Sequence, residues 1–154
     1  MSLIADVMSQ GGNADLTGLE QLRALMASGQ RQGITDSFDF SLTEVDVGVA
    51  VFEGKPWLHA YNPFGMVHGG YAATLLDSAC GCAVHSSLSS KQSHATLELN
   101  VAYHKALTSE TGVLRAEGRV LTMGRRVVFA EAKLIDATGR LYASATSTLL
   151  VTER

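Results

Sequence analysis

Residues 62–85 read Asn-Pro-Phe-Gly-Met-Val-His-Gly-Gly-Tyr-Ala-Ala-Thr-Leu-Leu-Asp-Ser-Ala-Cys-Gly-Cys-Ala-Val-His, and their reading decides the fold. A Pro/Gly-broken approach reaches a His-Gly-Gly corner and runs on as Ala, Leu, Cys and Val, the pattern of a long buried helix. Asp77 is the exception in that run, and a carboxylate among apolar neighbours is costly unless some chemistry requires it. Its desolvation is expected to raise its pKa toward values useful to a general base or nucleophile. Gly69 and Gly70 leave the first N–H groups of the helix uncovered, at the positive end of its dipole, where developing negative charge is stabilised. An oxyanion site and a carboxylate on one element point to acyl transfer.

Upstream of this stretch, residues 1–15 mix Gly, Ser, Asn and Asp and are expected to be loosely held. Asp15 or Thr17 is placed to cap a short helix from about Leu16 to Ser28, in which Leu19, Leu22, Leu25 and Met26 keep helical spacing and which Gly29 ends. From Ile34 to Phe52 the pattern alternates, and a change of phase near Thr43 and Glu44 predicts a bulge or one long bent strand. Residues 57–61 are expected to be a short extended piece. Downstream, four β-rich segments lie near 94–104, 111–121, 126–136 and 140–151. Turn residues at 122–125 and 136–139 make the last three antiparallel neighbours. The plan is α+β: an antiparallel sheet of about five to six strands that must curve to wrap one long central helix, with a short helix in an N-terminal extension (1–33) before a single domain (34–154). The uncovered sheet edge and face call for a symmetric oligomer.

The 154 residues, 46% hydrophobic and 18% charged, fit one globular domain, and a net charge of −3 with scattered basic residues gives no reason to expect nucleic acid. Cys80 and Cys82 stand two apart on a helix and do not face each other, so neither a disulfide nor a chelate is expected. No basic-then-apolar leader and no apolar stretch of about 20 residues is present, so a cytoplasmic protein away from the membrane is expected. His59, His85, His94 and His104 lack metal-ligand spacing, and no metal is assigned.

Gly70 and Asp77 are seven residues apart, about 10 Å along a helix axis. A carboxylate and an oxyanion donor must each come within roughly 3–3.5 Å of one carbonyl. One helix cannot supply both; two antiparallel copies can. The donors of one subunit are therefore expected to face Asp77 of its partner.

The pattern Asn62, His68, Gly69, Gly70, Asp77 resembles that of the hotdog-fold acyl-CoA thioesterases, in particular the phenylacetate-degradation (PaaI-like) group and its 4-hydroxybenzoyl-CoA thioesterase relatives. The likeness covers roughly residues 36–152, in the order strand, long helix, four strands. It implies hydrolysis of an acyl-CoA thioester by a homo-oligomer, a dimer as the unit and a tetramer expected, with no cofactor beyond the coenzyme A of the substrate. It further implies that Gly69 N–H polarises the thioester carbonyl, that Asn62 holds the attacking water or the thioester, and that His68 shapes the turn. Asp77 of the other subunit is then nucleophile or general base, and Thr96 positions water. Some relatives carry Thr one turn after the acid, where this chain has Gly81. Arg125 and Arg126 are candidates for the CoA phosphates. Phe64, Met66, Val67, Tyr71, Val84 and Trp57 are candidates for an apolar acyl tunnel.

Each residue also has a purely structural reading: Asp77 as a hydrogen-bonded structural acid, Asn62 as a turn residue before Pro63, Arg125 and Arg126 as a solvated hairpin tip. Two rival functions remain, a hydratase or dehydratase acting on acyl thioesters and a non-catalytic acyl-CoA sensor.

Overall fold

In the computed structural model, which describes residues 15–153, the first element is helix α1 (Gly18–Ser28). Residues 1–14, expected to be loosely held, lie outside the described residues. Thr17 and Glu20 cap α1 reciprocally, Thr17 N–H donating to Glu20 Oε2 at 2.8 Å, and Gly29 closes the helix in the left-handed conformation at φ 63°. Leu22 of α1 is buried in the core, and Gly18 N–H donates to Leu88 O, so the short helix lies over β1 (Phe40–Asp46) and the far end of the central helix.

The stretch 34–52 departs from the expected long strand. Residues Ile34–Ser37 form a helical turn, α2, and β1 then turns back at Val47 and Gly48 into β2 (Val49–Gly54) as an antiparallel hairpin. Gly48 takes φ 74°, which a two-residue hairpin turn needs. The predicted bulge is present, between Leu42 and Glu44. Residues Leu58–Ala60 form a single 3₁₀ turn instead of an extended piece.

The central helix α3 spans Gly69–His85. Its buried side chains recur as Tyr71, Ala72, Leu75, Leu76, Ala79, Cys80, Ala83 and Val84, a wide stripe that faces the sheet. Strands β3 (Gln92–Tyr103), β4 (Leu114–Met123), β5 (Val127–Asp136) and β6 (Leu141–Glu153) follow. All neighbours pair antiparallel in the order β1-β2-β4-β5-β6-β3, six strands that match the expected curved sheet around one helix. Bulges at Leu42/Glu44, Thr96/Glu98, Val120/Thr122 and Leu134/Ile135 supply the bend.

Small residues on the concave face let the helix approach. Ala116, Gly118, Ala130, Ala132, Ala143 and Ala145 are all buried there, and a Cβ added at Gly118 would meet Ala79 O at 2.3 Å. Ser86 fastens the other end of α3: its hydroxyl donates to Ala83 O (2.7 Å) and accepts from Gly48 N–H (2.9 Å), tying the β1–β2 turn to the helix terminus. Among the described residues no helix is long and apolar enough to cross a membrane.

The sheet has two edges, β1 and β3. Helix α1 lies over β1, whereas β3 keeps a border of twelve residues, with Leu97 at 59% and Tyr103 at 54% exposure.

Candidate active site

The approach to α3 is a closed loop built by Asn62. Its Oδ1 accepts from the N–H groups of Phe64 (2.9 Å) and Met66 (3.1 Å), and its own N–H donates to Met66 O (2.7 Å). Tyr61 bridges Val67 across the loop, and His68 N–H donates to Ala60 O at 2.7 Å. The chain is thus delivered to His68 in one fixed direction. Asn62 fills the turn role in full, and its side-chain nitrogen has no hydrogen-bond partner among the described residues.

His68 is the N-cap of α3, with Nδ1 accepting the N–H of Gly70 at 2.8 Å. That bond puts the ring proton on Nε2 in the neutral form. It also occupies one of the two glycine donors. Gly70 N–H belongs to the cap, while Gly69 N–H has no partner among the described residues and is exposed at the helix start. The oxyanion donor expected at Gly69 is therefore geometrically free, and the one at Gly70 is not.

Beside Gly69 opens a cleft of about 250 Å³, walled by Val67, Ala72, Tyr103, Lys105, Leu107 and Tyr142 among others. Tyr103 donates its hydroxyl to Gly69 O at 2.7 Å, and its ring covers the glycine closely enough that a Cβ there would lie 3.2 Å from it. Burial pushes the Tyr103 phenol up from its usual pKa, so it remains a donor. Lys105 holds its ammonium 6.0 Å from the Tyr142 ring centroid, and His104 Nε2 is 2.8 Å from Ser144 Oγ. Tyr103, His104 and Lys105 are additions to the sequence reading, which took 94–104 only as alternating strand.

Asp77 stands eight residues beyond Gly69, about 12 Å along the axis, and does not line this cleft. It sits with Thr74 and Ser78 on the stripe of α3 that the single chain leaves half-buried, so the full desolvation expected of a residue in an apolar run is not met within one chain. Thr96 Oγ1 donates to Asp77 Oδ1 at 3.1 Å, a contact outside the sequence reading, in which the resemblance gave Thr96 only a water to position. Cys80 and Cys82 lie on the same helix, and burial, followed by the charge of Asp77, pushes both thiols up to about 12, so they are inert at neutral pH.

The remaining candidates divide. Val67 is buried at the cleft wall, whereas Trp57, Phe64 and Met66 project into solvent from the approach loop, Phe64 at 88% exposure. Tyr71 and Val84 are fully buried under the sheet, so as members of the core they line no tunnel. Arg125 and Arg126 are exposed in the β4–β5 turn without a carboxylate partner among the described residues. Val151 N–H donates to Arg126 O and pairs with His94, which places the turn at the end of the sheet where Asp77 and Thr96 stand, away from Gly69.

Comparison with known proteins adds to this geometry. The sequence model of the Thioesterase superfamily matches residues 64–143. A 1,4-dihydroxy-2-naphthoyl-CoA hydrolase of Listeria monocytogenes is 25% identical over 122 residues, 79% of this chain and 98% of that protein. The proofreading thioesterase EntH of Klebsiella pneumoniae is 30% identical over 98 residues, 64% of this chain and 70% of that one. Among solved structures, a hypothetical thioesterase of Streptococcus pneumoniae, crystallised with coenzyme A, superposes with a TM-score of 0.69 at 27% identity, covering 77% of this chain and 91% of that chain. With the hotdog arrangement of sheet and helix on one side and these matches on the other, the chain belongs to the thioesterase superfamily, a family of thioester hydrolases.

Proposed function

We propose that the protein hydrolyses an acyl-CoA thioester to the free acid and CoA in a site shared by two subunits, Gly69 N–H of one and Asp77 of the other. The observation that carries this reading is the unpartnered Gly69 N–H at the start of α3, set in an open cleft, with the acid of the same helix about 12 Å away. The bare edge of β3 supports the assembly. Strand β3 runs antiparallel to α3, with Tyr103 beside Gly69 and Thr96 beside Asp77. Two copies of β3 paired antiparallel about a two-fold near Leu99 and Asn100 bring Thr96 of one chain opposite the Tyr103 end of the other. Asp77 then meets the partner's free donor.

In this arrangement the thioester carbonyl oxygen takes the hydrogen bond of Gly69 N–H, reinforced by the positive end of the α3 dipole. Thr96 holds Asp77 Oδ1, leaving Oδ2 to attack the carbonyl carbon or to take a proton from the water that does. The tetrahedral oxyanion collapses, the C–S bond breaks, and CoA leaves as a thiolate. Where water attacked, the proton that Asp77 took passes to the thiolate; where Asp77 attacked, water then cleaves the acyl–aspartate anhydride, which releases the acid, restores the carboxylate and supplies the thiolate's proton. Asn62 presents its free side-chain nitrogen to the water or the thioester. Arg125 and Arg126 of the Asp77 subunit reach the CoA phosphates, a use supported by the CoA found with the S. pneumoniae structure. The reading calls on no cofactor.

A free-thiol assay over phenylacetyl-, hydroxybenzoyl- and straight-chain acyl-CoA substrates tests the function. Thiol release is expected for at least one class, whereas loss of enoyl absorbance, or saturable binding alone, would replace the reading with hydration or sensing. His68 positions the turn and does not itself react. His68→Ala is expected to cost about 1 kcal/mol as a lost cap, or roughly 2–4 °C in a thermal melt, and to lower kcat far less than loss of a reacting group does, through the loosened Gly70 amide, with His68→Asn restoring both.

A further inference from the structure

We infer that Tyr103 is the positioning residue for the oxyanion donor, holding the Gly69–Gly70 peptide to the same strand, β3, that holds Asp77 through Thr96. The inference rests on the hydrolase reading above and names a residue that reading did not use.

The Gly69–Gly70 peptide is gripped at both polar ends by groups outside the helix backbone. Its C=O accepts the Tyr103 hydroxyl at 2.7 Å, and its N–H donates to His68 Nδ1 at 2.8 Å. The neighbouring His68–Gly69 peptide, whose N–H is the free donor, is held through its own C=O, which accepts Tyr71 N–H at 3.0 Å, and it joins the gripped plane at Gly69 Cα, where the φ and ψ of a glycine would otherwise be the loosest link. The Tyr103 ring lies so close over Gly69 that a side chain there would be 3.2 Å from Cζ and the hydroxyl oxygen. Glycine at 69 therefore serves the approach of this ring as well as the helix corner.

The companion bond, Thr96 Oγ1 to Asp77 Oδ1, lies seven residues earlier on the same strand. One hydroxyl of β3 holds the donor and the other holds the acid. When two β3 strands pair, both halves of each site are referenced to that single pairing, and the strand acts as the ruler that sets the gap between donor and carboxylate. Tyr103 is half-exposed and lines the cleft, so its ring forms a wall for the thioester while its hydroxyl aligns the peptide behind it.

Tyr103→Phe separates the two contributions, because the ring stays and the hydroxyl goes. The expected result is a kcat about tenfold lower, with KM within about twofold and the melting temperature within about 2 °C. Tyr103→Ala, which also removes the wall, raises KM as well. A second arm needs no turnover: in protein labelled with ¹⁵N-glycine, the Gly70 amide is protected from hydrogen exchange by His68, and in Tyr103→Phe it exchanges about tenfold faster as the peptide loosens. An unchanged kcat, a Gly70 amide that exchanges equally in both proteins, or a kcat loss that tracks a fall in melting temperature overturns the inference. Failure of the hydrolase reading looks different, as wild-type protein that releases no thiol while the Gly70 amide still responds to Tyr103.

Discussion

Asp77→Asn is expected to lose about a thousandfold in kcat, roughly 4 kcal/mol of transition-state stabilisation, in the free-thiol assay against the best acyl-CoA substrate. Asparagine keeps the shape of the side chain and an oxygen for the Thr96 hydroxyl, so fold and assembly are preserved. What is removed is the negative charge to which the proposed mechanism gives the attack or the deprotonation, and an amide does neither at neutral pH. KM should stay within a few-fold, because in the proposed mechanism other groups make the acyl and CoA contacts. Turnover equal to wild type would remove Asp77 from the mechanism. The same variant tests the shared site. Paired with Gly69→Val, whose added side chain strikes the Tyr103 ring 3.2 Å away, it should regain activity after subunit exchange. Random assortment leaves one intact site in each mixed dimer, about a quarter of wild-type activity. No recovery on exchange would place donor and acid in one chain.

Gly118→Ala is the largest expected effect on stability. The added methyl would lie 2.3 Å from Ala79 O and 2.4 Å from its carbonyl carbon, contacts with backbone that no rotamer change can relieve. Either α3 lifts from the sheet at its midpoint or β4 bends away, and both open the core around Leu75, Leu76 and Cys80. A loss of about 3 kcal/mol follows from overpacking against main chain, or roughly 10 °C in a thermal melt of a chain this size. The matched control is Gly139→Ala on the exposed β5–β6 turn, where no atom lies within 4 Å and only the φ of 82° is penalised. Equal melts for the two variants would mean that the helix does not sit on Gly118 as described.

The central helix was legible because Ala, Leu and Cys continue past any strand length after a Gly-Gly corner, and the last three strands because their turns carry Gly at hairpin spacing. The β1–β2 hairpin was hidden by its own composition. Val45, Val47, Val49 and Val51 keep alternating straight through the turn, and only Gly48, with its positive φ, marks the reversal. The pattern of Asn62, His68, Gly69 and Asp77 marked the candidate site, but not which amide was free. That depends on His68 Nδ1 reaching Gly70, a choice of rotamer. Asp77 read as buried because its sequence neighbours are apolar, yet the helix turns it onto the stripe that the sheet leaves half-covered. Tyr103 stands 34 residues from Gly69 in sequence and meets it only through the antiparallel run of β3 along α3, which no local pattern encodes.

The twelve-residue border of β3 is also a hazard for each newly made molecule. A strand that long, with Leu97 and Tyr103 facing water, is a template on which stray chains add. In the proposed two-fold pairing, covering that border is a second-order event whose pace follows how many finished copies are nearby. Sparse synthesis or dilute refolding lengthens the period of risk, and the yield of active enzyme becomes a question of encounter as much as of folding.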